Sequence, residues 1–153
     1  MLTQFLTQMS YNFKEEGKFK YVEIGIGQPI IILHGLMGGL SNFTGVTEFF
    51  NKNGYKVVLP ELPLYSLPLL STNVKSFAVY LKDFIDFLGF SNVILLGNSL
   101  GGHVGLLYTK LHPSKVKALV ITGSSGLYES AMGSGYTKRS DYEVMKSKVQ
   151  EVF

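Results

Sequence analysis

Val93-Ile94-Leu95-Leu96-Gly97-Asn98-Ser99-Leu100-Gly101-Gly102-His103-Val104-Gly105-Leu106-Leu107-Tyr108 is the stretch whose reading decides the fold. Its first four residues form a short, unbroken apolar run, the pattern of a strand buried on both faces of a sheet. From Leu100 to Leu111 the pattern changes to that of a helix, closed by His112-Pro113. Between strand and helix there is room only for a tight turn centred on Ser99. Gly97 and Gly101 remove side chains that would collide across such a turn, and Gly102 and Gly105 let the helix approach the sheet. A serine that only caps a helix needs none of these glycines.

The surrounding chain repeats the alternation. Ile30 to Leu33, Val57 to Leu59 and Ala118 to Ile121 are further apolar runs, and Phe19 to Ile24 is strand-like. Met9 to Phe13 is read as one more strand, with Glu15-Glu16-Gly17-Lys18 as a hairpin turn. Val74, Phe77, Ala78, Leu81, Phe84, Ile85 and Leu88 share one face of a helix that Ser71, Thr72 or Asn73 caps and Gly89 ends. Val46 to Lys52 is a shorter helix stopped at Gly54. Strands alternating with helices predict a three-layer α/β fold, a mostly parallel sheet flanked by helices. Residues 1–123 are expected to form the core. From 124 to 153 the composition turns to Gly and Ser and then to a helical pattern with no following strand.

Composition excludes several classes. The chain has no cysteine, so disulfides, thiolate catalysis and Cys-based zinc sites are ruled out. The net charge is only +3. Its one basic cluster, Lys138, Arg139, Lys146 and Lys148, is interrupted by Asp141 and Glu143, so nucleic-acid binding is not expected. No apolar run approaches the roughly 18 residues of a membrane span. The N-terminus has no basic start and is interrupted by Gln4 and Gln8. A cytoplasmic protein without membrane contact is expected, and its oligomeric state is open. A phosphate-binding G-x-x-x-x-G-K-[ST] loop fails at His103 and Val104, and no G-x-G-x-x-G follows a strand. No His, Asp and Glu set has metal-ligand spacing, and no cofactor or metal is expected.

The chemistry points to Ser99. A tight strand–turn–helix junction lifts its hydroxyl out of the sheet beside the N-terminus of a helix, where donor N–H groups and the positive dipole end lie. A second glycine-rich loop, His34-Gly35-Leu36-Met37-Gly38-Gly39, directly follows the strand Ile30 to Leu33. Acyl transfer needs two backbone donors aimed at the developing oxyanion. One comes from the residue after the nucleophile and the other from such a loop.

Together, LHGLMGG, GNSLGGHVGLLY and HPSKVKALVITGSSG resemble the α/β-hydrolase family, in its order and spacing and over essentially the whole chain. The resemblance implies Ser99 as nucleophile and the backbone N–H groups of Leu36 and Leu100 as the oxyanion hole. His34, Gly35 and Asn98 are assigned to pocket or loop support. It also implies a small-molecule acyl substrate, and makes residues 124–153 the start of a helical cap. Asn98 resembles the GNS-type elbow of some C–C hydrolases.

Two departures stand out. Where the family often has an Asp and a Gly-containing turn, this chain has Pro60-Glu61-Leu62-Pro63-Leu64-Tyr65, with Glu61 a candidate pocket residue. The family order is Ser, then Asp or Glu, then His. After Ser99 only His103 and His112 follow, the first within the elbow helix and the second at its end. His103 is read as a packing residue and His112 as a surface one. Glu129 is a candidate acid, but no base follows it. The fold is therefore read as cut after its sixth strand, with acid and base beyond Phe153 and residues 1–153 inactive alone. The reading is a serine hydrolase of a carboxylic ester or related acyl bond. Its alternatives are a catalytically inactive binding module and a related chemistry on the same fold, such as C–C bond hydrolysis or perhydrolysis.

Overall fold

The computed structural model describes residues 12–36, 39–64 and 73–124. Six strands alternate with three helices: β1 (Phe13–Glu16), β2 (Phe19–Ile24), β3 (Gln28–Leu33), α1 (Thr44–Lys52), β4 (Tyr55–Pro60), α2 (Val74–Phe87), β5 (Val93–Asn98), α3 (Leu100–Leu111) and β6 (Val116–Thr122). They form one sheet in the order β1-β2-β4-β3-β5-β6. β4, β3, β5 and β6 run parallel, and β1 and β2 are antiparallel additions at one edge.

Alternation along the central strands builds two cores. Ile31 and Leu33 of β3, Val58 of β4 and Leu95 of β5 pack against Phe77, Leu81, Phe84 and Ile85 of α2 and Val104 and Tyr108 of α3. On the opposite face, Ile30, Ile32, Val57, Leu59 and Leu96 meet Phe43 and the α1 residues Val46 and Phe50. The middle of each central strand, Ile30 to Leu33, Val57 to Leu59 and Val93 to Leu96, is thus apolar without a break because helices cover both faces. Chain direction changes sides at β3, which pairs with β4 on one edge and β5 on the other. Ligand sites of open α/β sheets lie beyond the strand C-termini at such a switch point.

The helix boundaries follow local chemistry. Of the three capping candidates before α2, Asn73 is the cap, its side chain accepting the Ser76 N–H at 3.0 Å. At the other end Gly89 takes φ +69°. The Phe90 N–H returns to the Ile85 carbonyl and that of Gly89 to Asp86, which satisfies two terminal acceptors. α1 starts two residues before the expected Val46, led in by a short 3-10 turn over Leu40–Phe43.

Two expectations are corrected. Glu15 and Glu16 lie inside β1, and the hairpin turn is Gly17-Lys18 alone, with Gly17 at φ +60°. The proposed strand from Met9 falls outside the described residues up to Tyr11, and Asn12 is not in a strand. β6 was expected to be buried on both faces. Among the described residues it pairs only with β5, and Val120 is 45% exposed. The cap assigned to residues 124–153 lies outside the described residues from 125 onward, Glu129 included. No helix among the described residues is long and apolar enough to cross a membrane.

Candidate active site

Ser99 joins β5 to α3 with φ 52° and ψ −117°, the sole non-glycine residue at positive φ among those described. Such a conformation costs an L-residue of the order of 1–3 kcal/mol and persists only where its surroundings impose it. Here they are backbone. A Cβ on Gly97 would stand 2.5 Å from the Gly101 carbonyl oxygen, so the turn closes only with glycine there. The Ser99 N–H donates to the Thr122 carbonyl at 3.0 Å, and its own carbonyl accepts from the His103 N–H at 3.3 Å.

Leu100 is the first residue of α3, so its N–H has no acceptor within the helix and lies at the helix end that adjoins Ser99. The loop after β3 closes against this turn. A Cβ on Gly35 would lie 3.1 Å from the Ser99 Cβ, so the absence of a side chain there lets the backbone leading into Leu36 pass beside the serine. Leu36 is 47% exposed, and Met37 and Gly38 lie outside the described residues.

His34 is 6% exposed and fastened on both ring nitrogens. Nε2 accepts the Leu62 N–H at 2.9 Å, so the ring proton sits on Nδ1, which donates to the Gly35 carbonyl at 2.9 Å. The imidazole thus ties the loop after β3 to the loop after β4. That second loop is itself pinned: the Glu61 N–H donates to the Lys20 carbonyl at 2.8 Å, and Leu62 and Leu64 are buried. The Tyr80 hydroxyl donates to the Glu61 carbonyl at 3.1 Å. Burial, with a smaller contribution from the Glu61 carboxylate, pushes the Tyr80 phenol up to about 12, so it stays a neutral donor.

The arrangement is a serine held out of the sheet at a switch point, with two backbone segments passing beside it. Over residues 28–142 the sequence matches the family described as alpha/beta hydrolase fold. The chain belongs to this family. A solved alpha/beta hydrolase, MGS-MChE2 from the metagenome of lagoon sediments at Mar Chica, Morocco, is 57% identical with a TM-score of 0.75. The match covers 92% of this chain and 58% of that one. The 2-hydroxy-6-oxononadienedioate/2-hydroxy-6-oxononatrienedioate hydrolase 1 of Dechloromonas aromatica is 32% identical over 133 residues, 80% of this chain and 46% of the relative. Lipase 1 of Psychrobacter immobilis is 30% identical over 122 residues, 75% of this chain and 38% of the relative. The chain thus spans less than half the length of these curated relatives.

Within this alpha/beta hydrolase the residues singled out in the sequence separate into groups. Ser99, Leu100, Gly35 and Asn98 come together at the ends of β3 and β5. The Glu61 carboxylate pairs with Lys20 at 2.9 Å, with both side chains about half exposed. His103 is half-buried within α3, and the His112 ring packs at 4.9 Å from that of Tyr108 at the helix end. Gly105 lets α3 approach the sheet, a Cβ there standing 3.1 Å from Leu119 Cδ1, and a Cβ on Gly102 would stand 3.3 Å from the Gly97 carbonyl oxygen of β5 as well as 2.7 Å from the Ser124 Cβ. Among the described residues no three of His, Cys, Asp and Glu are grouped to hold a metal ion. Sequence reasoning missed Thr122, which meets both Asn98 and Ser99. Its place opposite Asn98 follows from strand register, for which the local sequence carries no signal.

Proposed function

We propose that the protein is a serine hydrolase acting on a carboxylic ester or related acyl bond of a small molecule. The observation that carries this reading is Ser99 at positive φ between β5 and α3 with Gly35 against it. In this reading Ser99 Oγ attacks the carbonyl carbon and a general base takes its proton. The Leu36 and Leu100 amides stabilise the tetrahedral oxyanion. The alkoxide leaves with a proton, and water then releases the acid from the acyl-enzyme. His34 is committed through both nitrogens and serves as support rather than base.

A fluorophosphonate probe applied to the full-length natural protein should label Ser99, and Ser99→Ala should abolish the labelling. Labelling that persists at Ser124 would overturn the assignment. Residues 1–153 expressed alone should hydrolyse p-nitrophenyl butyrate near background, because losing the base in a triad enzyme costs about 10⁶ in turnover.

The similarity to a 2-hydroxy-6-oxononadienedioate hydrolase supports a second reading. The same serine and oxyanion amides would then act on a ketone carbonyl; the carbon–carbon bond would break with its electron pair going to the carbon leaving group, which takes up a proton, and water would release the acid from the acyl-enzyme. Parallel assays on p-nitrophenyl esters and on a chromophoric 2-hydroxy-6-oxo dienoate decide between the two by the larger kcat/KM.

A further inference from the structure

The turn at Ser99 is held to the neighbouring strand by more than the sheet ladder. β5 and β6 pair with Asn98 opposite Thr122, the last pair of their register. There the Thr122 carbonyl accepts the Ser99 N–H at 3.0 Å and Asn98 Nδ2 at 3.1 Å. Asn98 Nδ2 also lies 3.0 Å from Thr122 Oγ1. The other end of the carboxamide faces the loop after β3, since a Cβ on Gly35 would be 3.5 Å from Asn98 Oδ1. Directly after Thr122 the chain turns at Gly123, with φ +55°. Ser124 then lies over the start of α3, where a Cβ on Gly102 would stand 2.7 Å from the Ser124 Cβ. The exit of β6 is therefore registered on residues 98 to 102 at successive points.

We propose that Asn98 is a positioning residue. Its carboxamide clamps the Ser99 turn to Thr122, and so sets both the aim of the Ser99 hydroxyl and the path by which the chain leaves β6. The inference rests on the reading of Ser99 as nucleophile. The chemistry explains the residue type. Nδ2 faces two oxygens, one of which is a carbonyl that can only accept, so position 98 requires a donor. An aspartate has the same size but would set a carboxylate oxygen against that carbonyl. A shorter apolar side chain would leave the carbonyl with the Ser99 N–H alone.

The test uses the full-length natural protein with Asn98→Ala, Asn98→Asp, Thr122→Val, Thr122→Ser and the Asn98→Ala/Thr122→Val double variant. Three readouts are needed: the fluorophosphonate labelling rate of Ser99, kcat and KM for a p-nitrophenyl ester, and the unfolding midpoint. Small misplacement of a reacting group costs up to about 10²-fold, so Asn98→Ala and Asn98→Asp should slow labelling and kcat by about 10- to 100-fold while KM moves less than about threefold. Asn98→Asp should be no better than Asn98→Ala despite its shape. Thr122→Ser should match the parent, and Thr122→Val should add nothing to Asn98→Ala.

Unchanged labelling in Asn98→Ala overturns the proposal. So does a raised KM at constant kcat, which would make Asn98 a substrate contact. If the parent itself is not labelled, the serine reading fails, and the clamp is decided separately by stability. The double variant should then lose less than the sum of the single losses, and strict additivity would overturn the clamp. If Asn98→Ala does not fold, Asn98→Asp with Thr122→Val completes the same comparison.

Discussion

Gly101 and Leu33 meet through backbone alone: a Cβ on Gly101 would stand 2.1 Å from the Leu33 carbonyl oxygen and 2.8 Å from that of His34. Neither oxygen can easily swing away, because Leu33 is the last residue of β3 and His34, which follows it directly, is held through both ring nitrogens. Gly101→Ala should therefore destabilise the protein by about 3 kcal/mol, the upper end of ordinary overpacking. At about 2–4 °C per kcal/mol for a chain of this size, thermal unfolding would show a fall of roughly 6–12 °C. Gly45 in α1 is the control. A Cβ there meets nothing within 4 Å, and Gly45→Ala should raise stability by about 0.5 kcal/mol through helix propensity.

The strained backbone at Ser99 predicts a conflict between stability and activity. Ser99→Gly relieves a conformation worth of the order of 1–3 kcal/mol, less about 0.5–1 kcal/mol for the greater chain entropy of glycine. Ser99→Ala keeps the strain. The glycine variant should unfold at a higher temperature than the alanine variant, and neither should react with a fluorophosphonate. Equal midpoints would mean that the turn holds no such strain.

His34 is predicted to matter for architecture rather than for proton transfer. His34→Leu leaves the buried Leu62 N–H without an acceptor, a loss of about 1–3 kcal/mol. His34→Gln offers an oxygen near the former Nε2 and should lose less. Both variants should keep ester hydrolysis within about 100-fold of the parent, far from the roughly 10⁶-fold loss that follows removal of a general base. A loss of that larger size would reassign His34 as the base.

The legible parts of the fold share one property. Ile30 to Leu33 and Val93 to Leu96 are covered on both faces, so every residue in them had to be apolar and the strands announce themselves. β1 carries no such mark. Phe-Lys-Glu-Glu is exposed throughout and is a strand only because β2 pairs with it. β6 differs in the opposite direction, with an apolar sequence whose residues are exposed or half-buried. At the candidate site, the Ser99 turn could be read because its geometry forces glycine at Gly97 and Gly101. The Asn98–Thr122 and His34–Leu62 contacts bridge 24 and 28 residues, and nothing local in the sequence encodes them.

The β1–β2–β4 end of the sheet should set part of the acid stability. Glu23 lies between Lys14 and Lys56, and hydrogen bonds from Lys14 first and Lys56 second hold its carboxyl below the usual carboxylate range. A lowered folded-state value means the contribution is present above the ordinary carboxylate value of about 4.3 and is lost as pH falls through the folded-state one. Unfolding midpoints of the parent and Glu23→Gln should therefore differ at pH 7 and converge toward pH 3. The gap at pH 7 should be about 1 kcal/mol, as for an exposed or half-exposed pair, and should shrink in high salt. A gap that widened in acid would contradict the assignment.

The strand order has a consequence for how the molecule is made. β3 is translated early, yet one of its two sheet partners, β5, lies about sixty residues further along the chain. At roughly 5–20 residues per second on the ribosome, that separation corresponds to about 3–12 s of elongation. During that interval β4 can occupy one side of β3 while the other side, Ile30 to Leu33, presents unpaired N–H and C=O groups on an apolar strand. The nascent polypeptide thus carries its most adhesive edge through the middle of its own synthesis. Gly35 cannot meet Ser99 until β5 has slotted into that gap, so the two halves of the candidate site come together only when the most hazardous surface of the growing chain has been covered.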